Sequence, residues 1–236
     1  MRGWICVPTI NKKKPIITWL QMVVHILGWL PLAWICYAYF AGRLSINPIQ
    51  DIEQRLGRIA TYFLIATLAC TPLSTLLGWR EFSKRRRALG LYSFLYMSLH
   101  VLVFIGLDYG FNISEVFILI TQKFYLIVGT LALLMLIPLA VTSFDYFIHT
   151  MGKNWKRLHW LIYPAAIASL LHYSLAQKGD LFALRGNILK PLILGVLLIL
   201  LLVLRIPSVR RWISEVRRKI IVRSRHLPQG NKINPH

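Results

Sequence analysis

Six runs of apolar residues alternate along the chain with short polar or basic connections, near 16–40, 57–78, 89–107, 122–143, 158–176 and 188–205. Each comes close to the ~20 residues that a helix needs to cross a bilayer. They leave almost no chain for a soluble domain. The expected architecture is therefore all-α, a polytopic membrane protein with a six-transmembrane-helix bundle over residues 16–206. Residues 1–15 form an N-terminal tail and 207–236 a basic C-terminal one. In the latter Ile206, Val209, Trp212, Ile213, Val216, Ile220 and Ile221 recur at helical spacing among Arg210, Arg211, Arg217, Arg218 and Lys219. That pattern predicts an amphipathic helix lying on an anionic leaflet. Leu227–His236 reads as an unstructured end.

Composition agrees: 56% of the 236 residues are hydrophobic and the mean hydropathy is +0.57. The net charge of +20 suggests nucleic acid at first sight. Its distribution excludes that, because the basic residues sit in the connections. An even span count with N-in/C-in orientation gathers Arg2, Lys12–Lys14, Arg80–Arg87, Lys153, Lys156, Arg157 and the C-terminal tail on one side. Asp51, Glu53, Asp108, Glu115 and Asp180 fall on the other. Cytoplasmic loops collect Lys and Arg in this way. The partner implied by the charge is the lipid bilayer, not a nucleic acid. The first apolar run is longer than the 7–15 residues of a signal h-region, so it reads as a retained helix. Cys6, Cys36 and Cys70 are scattered, with neither C-x-x-C nor C-x-x-C-H, which leaves no disulfide framework and no covalent haem attachment.

The chemistry rests on three histidines inside apolar runs: His100, His159 and His172. Imidazole is costly in hydrocarbon, and an intramembrane ionisable residue is a functional-site hypothesis by default. His100 lies eight residues before Asp108 and His172 eight before Asp180, on helices expected to run in the same direction, so both reach one depth. Two such imidazoles can clamp a haem iron. His159 lies 13 residues before His172, which is ~20 Å lower and about 140° around an ideal helix unless Pro164 redirects the lower part. It stands at the inner interface beside Lys156 and Arg157, with Arg86 or Arg87 level with it on the third helix. Those arginines and Lys153 suit haem propionates or a flavin phosphate. A constant offset of 72 aligns His100 with His172 and Arg87 with His159, a faint internal repeat in which Pro72-Leu73 and Pro138-Leu139 recur in the preceding helices.

Plainer readings stand beside these. A membrane histidine often serves as an interhelical hydrogen-bond donor, and His25, with no partner at its depth, reads that way. His149, His226 and His236 read as solvated. The Lys84–Arg87 run is first a topology signal, and Trp79, Trp155, Trp160 and Tyr163 form an interfacial aromatic belt. The C-terminal helix is a membrane anchor.

The segments Leu89-Gly90-Leu91-Tyr92 through Leu99-His100 to Leu107-Asp108, and Gly152-Lys153-Asn154-Trp155-Lys156-Arg157-Leu158-His159 through Leu171-His172-Tyr173 to Lys178-Gly179-Asp180, resemble the MsrQ (formerly YedZ) family. The turns Thr71-Pro72-Leu73 and Pro138-Leu139-Ala140-Val141-Thr142-Ser143 fit as well, and the likeness spans roughly residues 50 to 185. MsrQ is the haem-binding membrane subunit of a protein-methionine-sulfoxide reductase system. Its wider relatives are the ferric-reductase-like transmembrane domains of ferric reductases and NADPH oxidases.

The resemblance implies a b-type cytochrome in the bacterial inner membrane. Its haem ligands would be His100, His172 and His159, with one or two haems b, and Arg86, Arg87, Lys153 and Arg157 near the cofactors. FMN is also a family cofactor. Electrons would come from a cytoplasmic flavin reductase or membrane quinol and pass to a periplasmic molybdopterin-containing methionine sulfoxide reductase. The chain would then be an electron-transfer subunit, with the sulfoxide chemistry in its partner. It departs from the wider relatives where Arg86 replaces a second low histidine, and in a tail too short for a flavin and nicotinamide domain. Gln122-Lys123-Phe124-Tyr125 also departs from the basic, proline-containing wording before the fourth helix. The alternatives are a stand-alone ferric or quinone reductase and, from another class, a non-redox transporter or structural subunit. A transporter calls for mid-helix charges along a pathway, which the third and fifth runs lack.

Overall fold

A computed structural model describes residues 19–177, 179–180, 185–186 and 189–225. The expectations for Arg2, Cys6, Lys12–Lys14, Lys178, His226, His236 and Leu227–His236 lie outside them. Ten α-helices follow in order: α1 (Trp19–Phe40), α2 (Pro48–Leu77), α3 (Arg80–Val103), α4 (Ile113–Gln122), α5 (Phe124–Val141), α6 (Asp145–Met151), α7 (Lys153–Leu158), α8 (Ile162–Ala176), α9 (Leu189–Val203) and α10 (Pro207–Arg225). A π-helical turn, Phe104–Asp108, extends α3, and a 3-10 turn, His159–Leu161, joins α7 to α8. Between α8 and α9 a two-residue antiparallel pair sets Gly179 against Gly186.

The all-helical membrane architecture holds, with fewer than six of its helices long enough to cross a bilayer unaided. Among the described residues, four helices (α1, α2, α3 with its π turn, and α5) are long and apolar enough to cross a bilayer, and α9 with α10 makes a fifth if that bent pair is one span. The expected fifth run is divided by the 3-10 turn, and α8 keeps only 15 residues, ~22 Å of helix. The sixth run ends at Val203, and α10 turns away by 79° at Pro207, which lacks the amide to continue the ladder.

Two boundaries move because polar residues conceal a helix. α2 starts nine residues before the expected 57, where Asn47 caps the amide of Gln50 and Pro48 takes the first turn. Its polar opening is held by the Arg55–Asp51 pair at 2.8 Å. The basic stretch Arg80–Arg87, expected as a loop, forms the first two turns of α3. The short α4 had no counterpart among the apolar runs; Asn112 accepts from the amide of Glu115 at its start.

α2 packs along α3 and α5 along α8. One cluster of buried residues joins Leu64, Ile65 and Leu68 to Leu136, Leu139, Ile162, Ala165, Ala166, Leu198 and Leu201; a second joins Ile35, Leu56, Ala60 and Tyr96. The offset of 72 reappears in this packing. Leu56, Ala60, Leu64 and Leu68 of α2 are buried, and so are Val128, Ala132, Leu136 and Ala140 of α5. The repeat is thus a pair of matching helix hairpins, while Pro72 and Pro138, 66 apart, fall out of its register.

Polar side chains in the bundle bond to helix backbone, as expected where water is scarce. Ser93 donates to the carbonyl of Ala60 at 2.8 Å. Tyr96, fully buried, donates to the carbonyl of Gly28 at 2.7 Å and accepts the amide of Leu32 at 3.1 Å. Its hydroxyl thereby enters the α1 ladder beside Pro31.

Candidate functional site

A cavity of about 510 Å³ opens between the two hairpins, in the range typical of small-molecule and cofactor sites. His100 of α3 and His172 of α8 both line it, with ring centres 6.2 Å apart and planes at 69°. His100 Nδ1 lies 2.9 Å from the carbonyl oxygen of Glu53, and His172 Nδ1 lies 2.7 Å from that of Tyr125. A carbonyl oxygen only accepts, so each Nδ1 carries the proton and donates. Nε2 is then the lone-pair nitrogen in both rings, the arrangement that prepares an imidazole as a metal ligand. One turn beyond His100 the π turn of α3 brings Phe104 and Ile105 to the wall.

Among the described residues no group of three or more His, Cys, Asp or Glu converges on one point. Two imidazoles alone are too few for a structural zinc, which takes four protein ligands. They suffice where a planar macrocycle supplies the remaining donors.

The other expected site residues stand apart from this cavity. His159 is absent from its lining, because the 3-10 turn holds its ring against Trp155, with centres 3.9 Å apart and Nδ1 donating to the Trp155 carbonyl at 3.1 Å. Arg86 is half-buried within electrostatic reach of His159 and Arg205. Arg87 faces outward and pairs with Asp145. Lys153 and Arg157 are exposed. The structure therefore brings His100 to His172, and His159 to Arg86, as two separate groups. His25 bonds Tyr92 at 2.9 Å, the hydrogen-bonding role expected of it.

Three features of the site escaped the sequence reading. Arg58, half-buried, lines the His100–His172 cavity, and none of the described ion pairs or hydrogen bonds engages it, whereas Asp51 is taken by Arg55. Its place at the edge of an apolar run made it look like a flank. Arg205 donates to the carbonyl of Leu68, to Thr71 Oγ1 and to Tyr163 Oη, tying α2, α8 and the end of α9 together. Gly57 and Gly129 lie directly against the two imidazoles. The same offset of 72 that relates the histidines relates these glycines, and that signal could have found them.

The ferric reductase like transmembrane component model matches residues 56–170. A Rhodospirillum rubrum protein named protein-methionine-sulfoxide reductase heme-binding subunit MsrQ is 42% identical over 193 residues, covering 81% of this chain and 89% of the relative. The chain belongs to the MsrQ family. MsrQ proteins of the same name from Rhizobium meliloti and Salmonella paratyphi B are 40% identical over 157 residues and 34% identical over 197. The Salmonella MsrQ is matched over 96% of its length and 83% of this chain. No solved structure matches the chain. The ferric-reductase match begins one residue before Gly57 and ends two before His172, so it takes in most of the helices around the cavity.

Proposed function

We propose that this protein is a b-type cytochrome, the membrane subunit that carries electrons across the bacterial inner membrane to a periplasmic methionine sulfoxide reductase. The observation that carries the reading is the meeting of His100 and His172. A metal-bound imidazole nitrogen sits about 2 Å from its ion, and its ring centre about 1 Å further, so two rings on opposite faces of one ion have centres about 6 Å apart. The separation here is 6.2 Å. When bound, a haem supplies a one-electron carrier. The chain's own residues do the rest: the Glu53 and Tyr125 carbonyls fix the tautomers, and the apolar walls set the dielectric that tunes the potential.

The basic ends of α3 and α7 are read as cytoplasmic; counting the short α8 and α9 as crossings beside α1, α2, α3 and α5 puts both termini on that side. Electrons enter there, from a flavin reductase or quinol. Arg86, Arg87, Lys153, Arg157 and His159 form the region suited to an anionic group, the phosphate of FMN or a haem propionate. His159 serves a second, lower site and not the His100–His172 pair. The relatives' name supports both the haem and the sulfoxide-reducing partner.

Purified protein tests the reading. Dithionite reduction gives a sharpened α band and a shifted Soret band; a preparation with neither refutes it. In vesicles, electrons reach methionine sulfoxide only when the periplasmic reductase is added. Direct reduction of ferric chelates at full rate without that protein supports the stand-alone reductase instead.

A further inference from the structure

We infer that Gly57 and Gly129 are positioning residues for the two imidazoles: lacking a side chain, each leaves the carbonyl one turn before it open to a histidine Nδ1–H. This deepens the reading above and rests on it.

In an α-helix the carbonyl of residue n accepts the amide of residue n+4, and its second lone pair stays available on the helix surface. Helical side chains tilt toward the N-terminus, so residue n+4 covers the turn that carries this lone pair. A glycine at n+4 uncovers it. Both histidine contacts have this form. His100 reaches the carbonyl of Glu53 with Gly57 four residues on, and His172 reaches that of Tyr125 with Gly129 four residues on. A Cβ built on Gly57 meets His100 Nδ1 and Cε1 at 3.3 Å, and one built on Gly129 meets His172 Nδ1 at 2.6 Å and Cε1 at 2.8 Å. In each case the three nearest atoms all belong to the imidazole. These glycines therefore admit a ring, and close helix packing does not explain them. The trio Glu53, Gly57, His100 shifted by 72 gives Tyr125, Gly129, His172, so the device occurs once in each hairpin.

The two positions differ in tolerance. At 57 the ring must yield by a few tenths of an ångström. At 129 it cannot keep both its place and its hydrogen bond. Losing that bond weakens the imidazolate character of the ligand, which favours the ferrous state and raises the midpoint potential.

The test is a redox titration of the α band, with low-temperature electron paramagnetic resonance, on purified full-length protein carrying Gly57→Ala, Gly129→Ala or Gly90→Ala. The last is a control, since a Cβ on Gly90 meets only Thr67, at 3.7 Å and beyond. Alanine raises helix propensity at all three positions, so a weakened helix does not explain a shift. The expected result is a positive shift in potential with altered ferric g-values, larger for Gly129→Ala than for Gly57→Ala and absent for Gly90→Ala. If Gly129→Ala does not accumulate, Gly57→Ala decides alone, because its milder contact permits folding. Wild-type potential and g-values in Gly57→Ala and Gly129→Ala, or the reverse order of effect, overturn the inference. A wild-type protein without haem overturns the functional reading instead.

Discussion

Removing the Arg205 guanidinium should cost about half as much when Pro72 is replaced by alanine. Pro72 has no amide hydrogen, so the Leu68 carbonyl four residues earlier loses its intrahelical partner. Leu68 is fully buried. Arg205 repairs the gap from another helix, with Nε at 3.2 Å and Nη2 at 2.8 Å from the Leu68 oxygen; it also bonds Thr71 Oγ1 at 3.1 Å and Tyr163 Oη at 2.9 Å. Hydrogen bonds from charged donors contribute ~1.5–3 kcal/mol, and an orphaned buried carbonyl costs ~1–3 kcal/mol. Interhelical bonds in membrane proteins measure lower, with a mean of ~0.6 and a maximum of ~1.7 kcal/mol. The guanidinium is half-buried and feels the like charge of Arg86, which argues for the lower range. Arg205→Ala should therefore destabilise by about 2 kcal/mol, as a value within these bounds. In the Pro72→Ala background the new amide at position 72 satisfies Leu68, and the cost should fall by about 1 kcal/mol, one net hydrogen bond. Reversible unfolding in mixed micelles, run as a double-mutant cycle, reads the difference. Equal cost in both backgrounds, within the ~0.3–0.5 kcal/mol scatter of additive sites, refutes the reasoning.

Other expectations follow from the same geometry. Arg87→Ala should change stability by no more than about 0.5 kcal/mol, because its pairing with Asp145 joins side chains that are 42% and 78% exposed; a loss above 1.5 kcal/mol in the same unfolding assay contradicts this. Arg58→Gln removes a positive charge from the cavity wall and should move the haem potential to more negative values in a redox titration, while Arg58→Lys keeps most of the wild-type value. A shift in the positive direction contradicts it. Ser169→Ala breaks the buried Thr61–Ser169 contact at 3.2 Å between α2 and α8, and should cost about 0.6 kcal/mol in mixed-micelle unfolding. A stabilised variant would contradict that estimate.

Much of the architecture was legible because one solvent dominates it. The run at 122–143 agrees with α5 to within a few residues, and the run at 16–40 ends where α1 ends, at Phe40, since apolar length alone decides them. Hydropathy failed where a helix is polar. It missed the first turns of α2, stabilised by a cap and an ion pair; α4 is apolar but, at ten residues, too short to register as a span. The shortening of the fifth run is a backbone event at His159–Leu161, which hydropathy does not register. His100 and His172 stood out because imidazole is anomalous in such surroundings, and equal spacing to Asp108 and Asp180 suggested equal depth. Glycine is not anomalous in a membrane helix, so only the offset of 72 marks Gly57 and Gly129 in the sequence, and their role shows beside the rings they touch. Arg205 was hidden likewise: its role depends on the orphaned carbonyl of Leu68, 137 residues away in sequence.

The ferric resonance spectrum of oxidised, purified protein tests the His100–His172 pairing most directly, with His100→Ala, His172→Ala and His159→Ala beside the wild type. If His100 and His172 hold one haem iron between them, a low-spin signal would be seen that disappears in each of the first two variants and survives in the third. A high-spin wild type, or a low-spin signal that outlasts the loss of His172, contradicts it.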